Sequence, residues 1–415
     1  MILITKQSFA LFLTLTTTTT TLAFCPQPLS TNSRMPPLHE SNNSELLQLE
    51  VASPPVERSE DLSFLQKLGW KPDRFPHDDD EISNDQVYNE YSPVRVTEVH
   101  SNGVRVLGEN GIDQRIRLKK EIVPTVGDWL LLDHNRPKQS ILLNRQSVLT
   151  RKSPGKSRKI QLIAANIDTL FVVSSCNQDF NIARLERYVA LALEAQVSPV
   201  IILTKSDLAV DGDHSEYVKT AESTFQDRVP VIALDATKDC EHVIDALQQW
   251  CTPGQTVAFV GSSGVGKSTL TNALMDDFIA ETNGIREDDD KGRHTTTGRN
   301  LYISPRIGCS IIDTPGMREL QLFDVAAGIG TVFEDLEDIA KQCRFNDCRH
   351  DGEPGCAIRE ALDDGTIDEK RVIRWRKLVA EDANNSATIV QRKSKDKALG
   401  KKIRQMQKSN RKYNY

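Results

Sequence analysis

An α/β fold built on a parallel sheet is what this sequence predicts, with a small β-barrel before it and a helical, metal-binding segment after it. Three observations lead there. Between residues 160 and 325, runs too apolar for a half-exposed sheet alternate with stretches of helical spacing, the pattern of a parallel sheet covered on both faces. One of those runs, 257–260, leads straight into the sequence GSSGVGKS at 261–268. Three cysteines and a histidine crowd into residues 343–356, a spacing that suggests a metal site rather than a disulfide.

Composition bounds the rest. A chain of 415 residues predicts two or three domains. With 27% charged and 38% hydrophobic residues it is ordinary globular protein. No stretch reaches the roughly 18 uncharged apolar residues of a spanning helix, so integral membrane association is not expected. Eight cysteines are too few for a disulfide scaffold. The net charge of -6 conceals an asymmetry: residues 391–415 hold ten Lys/Arg and one acidic residue, leaving -15 on the remainder. A basic tail is a candidate contact for phosphate backbones, or a solvated tail that aids solubility.

Taken in order, residues 1–60 read as a targeting presequence and disordered linker. Lys6, an apolar core at 9–15 and Ala23-Phe24 fit a signal peptide too short to span a membrane. Residues 27–60 are rich in Ser, Asn and Pro. Cleavage before Phe24 resembles the two-part plastid-targeting presequences of algae, which predicts a plastid stromal protein; a mitochondrial or secretory leader is the alternative. Residues 61–92 predict one short helix, at 61–76, and an acidic linker. Residues 93–150 alternate apolar and polar, with hairpin signals at Asn102-Gly103 and Asn110-Gly111. About five short strands result, which fits an OB-type barrel, of a kind that often binds oligonucleotides, or a plain β spacer. A basic loop follows at 151–159, five of its nine residues Lys or Arg. In the next segment, 160–325, strands are predicted at 171–173, 200–203, 231–234, 257–260 and 311–312, with helices over 183–195 and 267–275. The last segment, 330–415, is helix-rich and ends in the basic tail.

GSSGVGKS is G-x-x-x-x-G-K-[ST] between a strand and a helix, the context that separates a phosphate loop from a chance Gly/Ser turn. Gly261, Ser262, Ser263, Gly264, Val265 and Gly266 would turn backbone N–H groups toward phosphates, and a helix N-terminus adds dipole charge. Lys267 would reach the β and γ phosphates, Ser268 would bind Mg²⁺, and Thr269 continues the loop. Asp313-Thr314-Pro315-Gly316 ends a second apolar strand; Asp313 could hold Mg²⁺ through water and Gly316 could sense the γ phosphate. Between them, His294 precedes Thr295, Thr296 and Thr297, one of which could close on Mg²⁺. At Thr204-Lys205-Ser206-Asp207, the Asp207 carboxylate can accept both N–H donors of the guanine edge, which favours GTP over ATP, and Lys205 would lie over the base. Thr204 stands where Asn is usual and can make only part of its contact, so modest affinity is expected. Ala236 could offer its N–H to the guanine carbonyl, although Asp235 beside it departs from the common Ser. Met317, where many GTPases place a water-orienting Gln, can form no useful hydrogen bond, which leaves His294 as the best internal candidate for the catalytic group.

The guanine motif here precedes the phosphate loop, the reverse of the usual order. Joining the old termini and cutting after D-x-x-G gives the same sheet, a circular permutation. Cys343, Cys348, His350 and Cys356 supply three thiolates and an imidazole, a closed tetrahedral set for one structural Zn²⁺. Gly352, Pro354 and Gly355 allow the turns. In the tail, Leu399, Ile403 and Met406 form an apolar stripe on a basic helix, weakened by Gly400 by about 1 kcal/mol.

TKSD, GSSGVGKST, GRHTTT, DTPG and the Cys-Cys-His-Cys cluster, in that order over residues 61–412, resemble the ribosome small subunit-dependent GTPase A family. The resemblance implies an OB-type β-barrel, a circularly permuted P-loop GTPase domain and a zinc domain. It also implies a GTP hydrolase of late small-subunit maturation, stimulated by that subunit and its rRNA, acting as a monomer with GTP/GDP and Mg²⁺. It points to His294 as the catalytic residue. The alternative is a GTP-gated rRNA-binding module whose hydrolysis is incidental.

Overall fold

The computed structural model describes residues 62–71, 91–152, 160–209, 213–237, 240–275, 299–313 and 322–386. The presequence, the acidic linker, His294 to Thr297, Gly316, Met317 and the basic tail lie outside them.

The predicted first helix is a single turn, α1 (Phe64–Lys67), closed by a capping box between Ser63 and Gln66. Leu65, Leu68 and Trp70 behind it pack against Trp129 and Leu131. The five predicted short strands form: β1 (Tyr91–His100), β2 (Gly103–Gly108), β3 (Asp113–Ile116), β4 (Trp129–Asp133) and β5 (Ile141–Leu142). They are antiparallel, in the order β3-β2-β1-β4-β5. β1 pairs with β4 over residues 91–95 and with β2 over residues 94–100, with a register shift against β2 between Val96 and Glu98.

The basic stretch predicted as a loop begins in strand. Val148–Lys152 (β6) and Ile160–Ala165 (β7) pair as a two-stranded antiparallel ribbon across the boundary expected between barrel and sheet. The main sheet follows: β8 (Thr169–Ser175), α2 (Ile182–Glu194), β9 (Ser198–Thr204), α3 (Ser215–Phe225), β10 (Val231–Ala233), α4 (Cys240–Leu247), β11 (Thr256–Gly261), α5 (Lys267–Leu274), β12 (Asn300–Ile303) and β13 (Ser310–Asp313). Its order is β10-β9-β8-β11-β13-β12, parallel except for β12, and β12 pairs antiparallel with β1, so that β1–β5 continue the same sheet. Both faces are covered, as the apolar runs require. Leu170, Val172, Ile201 and Val260 face one core with Leu185 and Val189 of α2. Phe171, Val173, Ile202 and Phe259 face the other, with Val243 and Leu247 of α4 and Leu270 and Leu274 of α5.

Four helices complete the described chain: α6 (Ala326–Val332), α7 (Glu334–Ala340), α8 (Ala357–Asp363) and α9 (Glu369–Ser386). They extend the α2-side core rather than building one of their own; Val372, Trp375 and Leu378 of α9 belong to it. A Cβ on Gly328 would stand 2.0 Å from the Ala190 carbonyl oxygen, so α6 crosses α2 at backbone distance. Beneath this crossing Glu186, with no exposed surface, takes Arg374 Nε at 2.8 Å and Arg371 at 3.7 Å. Arg187 holds Glu381 at 2.6 Å. No helix among the described residues is long and apolar enough to cross a membrane.

Candidate nucleotide-binding site and metal centre

The parallel strands deliver three predicted motifs to one end of the sheet. β11 is buried along its whole length and releases the chain at Gly261 into the loop that opens α5. The loop turns on glycines: Gly264 and Gly266 have φ of 78° and 95°, a region that β-carbons disfavour. A Cβ on Gly261 would stand 2.3 Å from the Val173 carbonyl oxygen of β8. Ser262, Ser263, Gly264 and Val265 form the turn, and Lys267, Ser268 and Thr269 open the helix. The Lys267 ammonium donates to the Ser262 carbonyl. Asp313 ends β13, next to β11, with its side chain exposed.

Thr204 ends β9, two strands from β11, with 1% of its surface exposed. Its hydroxyl lies 2.6 Å from the carbonyl oxygen of Val265 in the phosphate loop and 3.1 Å from that of Ser174. The hydroxyl therefore ties the start of the guanine motif to the phosphate loop, a role its residue type alone did not reveal. Lys205 takes the left-handed conformation, φ 56°, and turns the chain so that Asp207 is exposed. Asp235 is also explained: its carboxylate accepts from Thr237 N at 2.8 Å and Thr237 Oγ1 at 2.7 Å, a turn that fixes Ala236. Beside these groups, burial and then the Asp207 charge push the Cys176 thiol up to about 11.

Gly261, Thr204 and Asp313 thus share one sheet end although the guanine motif comes first in the chain. Strand order and motif order together make this a circularly permuted nucleotide-binding sheet.

The second site lies between α7 and α8. Cys343, Cys348, His350 and Cys356 bring one ligand atom each to within 4.8 Å of one another. His350 Nδ1 is 3.5 Å from Cys343 Sγ and 3.6 Å from Cys356 Sγ. Three sulfurs and a nitrogen converging so closely, with positive φ at His350, Gly352 and Gly355, fit a tetrahedral zinc site. Burial lowers the His350 imidazole below its ordinary value, a shift toward the neutral form that a metal ligand requires. Sequence reading missed Glu353. Its carboxylate accepts from Asp351 N at 2.7 Å and Arg349 N at 3.0 Å, on either side of His350, and those N–H groups hold it down at about 2. His350 also packs on Trp375 of α9, ring centroids 5.4 Å apart. Glu353 sits in the loop the motif spans, whereas Trp375 could be found only from the fold.

The chain is similar to known proteins over most of its length. The profile described as RsgA GTPase matches residues 142–323. A protein of Vibrio vulnificus named small ribosomal subunit biogenesis GTPase RsgA 2 is 43% identical over 83% of this chain and 95% of its own length. The RsgA of Mesorhizobium japonicum is 44% identical over 78% of this chain and 91% of its own. Among solved structures, YjeQ from Thermotoga maritima superposes with a TM-score of 0.52 at 24% identity, over 70% of this chain and 98% of that one, a likeness in fold. With most of two relatives' length matched above 40% identity, and with the permuted sheet and its loops in place, the chain belongs to the RsgA GTPase family.

Proposed function

We propose that this GTPase acts in late maturation of the small ribosomal subunit, hydrolysing GTP when the subunit stimulates it and then leaving. The observation that carries the nucleotide half is the phosphate loop, bound by the Thr204 hydroxyl to the strand that ends in the guanine motif. Gly261 to Gly266 would cradle the phosphates with backbone N–H groups, and Lys267 would balance their charge. Lys205, Asp207 and Ala236 would hold the base, with Thr204 and Ser206 shaping that loop. Mg²⁺ would enter with GTP at Ser268 and Asp313 and neutralise charge on the phosphates, with one of Thr295 to Thr297 and Gly316 closing on the γ end. His294 would hold the attacking water. Cys343, Cys348, His350 and Cys356 would hold one zinc ion in a closed, structural site.

The ribosomal half rests on the relatives' names and on charge. The five antiparallel strands β1–β5, arranged about β1, support an OB-type barrel, and the basic residues at 151–159 and 391–415 suit an RNA backbone. The presequence supports a plastid as the place of work. Single-turnover GTP hydrolysis with and without purified organellar small subunits tests the proposal. Stimulation well above the intrinsic rate supports it; an unstimulated rate with GTP-dependent subunit binding would leave an rRNA-binding module instead.

A further inference from the structure

The charged side chains of α2 have distinct partners. Glu186 has Arg374 and Arg371, Arg187 has Glu381, and Glu194 accepts the Gly328 N–H at 2.9 Å. Arg184 has no carboxylate within ion-pair distance among the described residues. Its Nη1 donates instead to Ser262 Oγ at 2.7 Å, across 78 residues, at the second position of the phosphate loop. The approach is built in. β8, which leads into α2, lies beside β11, with Val173 paired to Gly261, and the Asn181 side chain accepts Arg184 N at 3.2 Å to fix the first helical turn. Lys267 donates to the carbonyl of the same Ser262. A guanidinium and an ammonium thus converge on one loop residue, an arrangement that favours an anion between them. The sequence meanwhile offers Met317 where a water-orienting Gln is common, so charge stabilisation has more to supply.

We propose that Arg184 is a cation supplied in cis to the phosphate undergoing transfer. The proposal rests on the phosphate-loop reading of residues 261–268. With GTP bound, the guanidinium exchanges Ser262 Oγ for oxygens at the γ end and stabilises the charge that spreads over them in the transition state. Arg184 transfers no proton. The water oxygen bonds to the γ phosphorus, the bond from that phosphorus to the β–γ bridging oxygen breaks, and the water's proton passes to the phosphate product.

The test uses the full-length chain and two variants, Arg184→Met and Arg184→Lys, each assayed by single-turnover GTP hydrolysis and by binding of GDP alone and GDP with fluoroaluminate, a mimic of the transferring phosphate. Arg184→Met is expected to slow hydrolysis by about 10²- to 10³-fold and to lose the gain in affinity that fluoroaluminate confers, with GDP affinity at the parental level. Arg184→Lys, which keeps the charge, should recover part of both. Hydrolysis at the parental rate in Arg184→Met overturns the proposal. So does an equal loss of affinity for GDP with and without fluoroaluminate, which would make Arg184 a brace for the loop. A parental chain that binds no GDP overturns the phosphate-loop reading as well.

Discussion

Two loops in this molecule each open a helix, and they hold their shape by different means. The phosphate loop leaves a strand buried at all six positions and enters α5, whose Leu270 and Leu274 have no exposed surface. Its turn is fixed by glycine backbone, by β8 at close range and by the Thr204 hydroxyl. The Cys/His loop leaves α7 and enters α8, and between residues 343 and 356 only Cys356 is buried. Its four ligand atoms converge at the margin of the α2-side core, against which Cys343 and Cys348 are only partly buried. The first loop is shaped by the sheet that delivers it. The second depends on what an ion would supply, as small metal modules do.

Breaking the second loop has the largest expected effect. Binding of a structural zinc contributes on the order of 10 kcal/mol, so Cys348→Ser should abolish stoichiometric zinc, measured by elemental analysis. Amide hydrogen exchange in α8 should rise, while GDP affinity stays at the parental level. Equal zinc in mutant and parent, or loss of GDP binding with the metal, would erase the distinction between the loops.

A smaller effect tests how firmly the two regions are joined. Arg374→Met leaves the Glu186 carboxylate, fully buried, with Arg371 at 3.7 Å as its remaining cation. Removing one partner of a buried pair costs about 3–5 kcal/mol, seen as a lower unfolding midpoint. Replacing both partners, Glu186→Leu with Arg374→Met, should recover much of that loss. If the double variant is as unstable as the sum of the single ones, the pair is not the junction.

The smallest effect lies within the phosphate loop. Thr204→Val keeps the shape and removes the hydroxyl, leaving the Val265 and Ser174 carbonyls without it. A buried acceptor left unsatisfied costs about 1–3 kcal/mol, and nucleotide affinity should fall by roughly the tenfold that 1.4 kcal/mol represents. Thr204→Ser, which keeps the hydroxyl, should bind like the parent. Calorimetry on both variants separates a lost hydrogen bond from altered packing.

What the sequence made legible follows the same division. Five of the six strands of the main sheet, the phosphate loop and the four candidate metal ligands are local patterns, each readable from spacing within a few residues, and the permuted order follows from where the motifs stand along the chain; β12, the antiparallel strand, was not foreseen. The second role of Thr204 was not legible because its partner, Val265, lies 61 residues away; a hydroxyl in place of Asn reads only as a weakened base contact until the fold sets it against the other loop. Asp235 looked like a departure and is a turn former, which the hydroxyl residue two positions on, Thr237, could have signalled. The β6–β7 ribbon was hidden by its charge, since Arg151 and Lys152 belong to a strand whose pairing residues 160–165 lie beyond the basic stretch. Arg184 and Glu186 gave no signal at all. Their partners are 78 and 188 residues away.

The most direct test of the central claim is a titration of GDP, GTP, ADP and ATP, with Mg²⁺, into the full chain and into Lys267→Ala, with zinc content measured on the same samples. The account predicts binding of GDP and GTP, adenine nucleotides weaker by about 10²-fold or more because Asp207 would lose its donor pair, loss of tight binding in Lys267→Ala, and an unchanged single zinc per chain. ATP binding as tight as GTP binding, or nucleotide binding indifferent to Lys267, would contradict it.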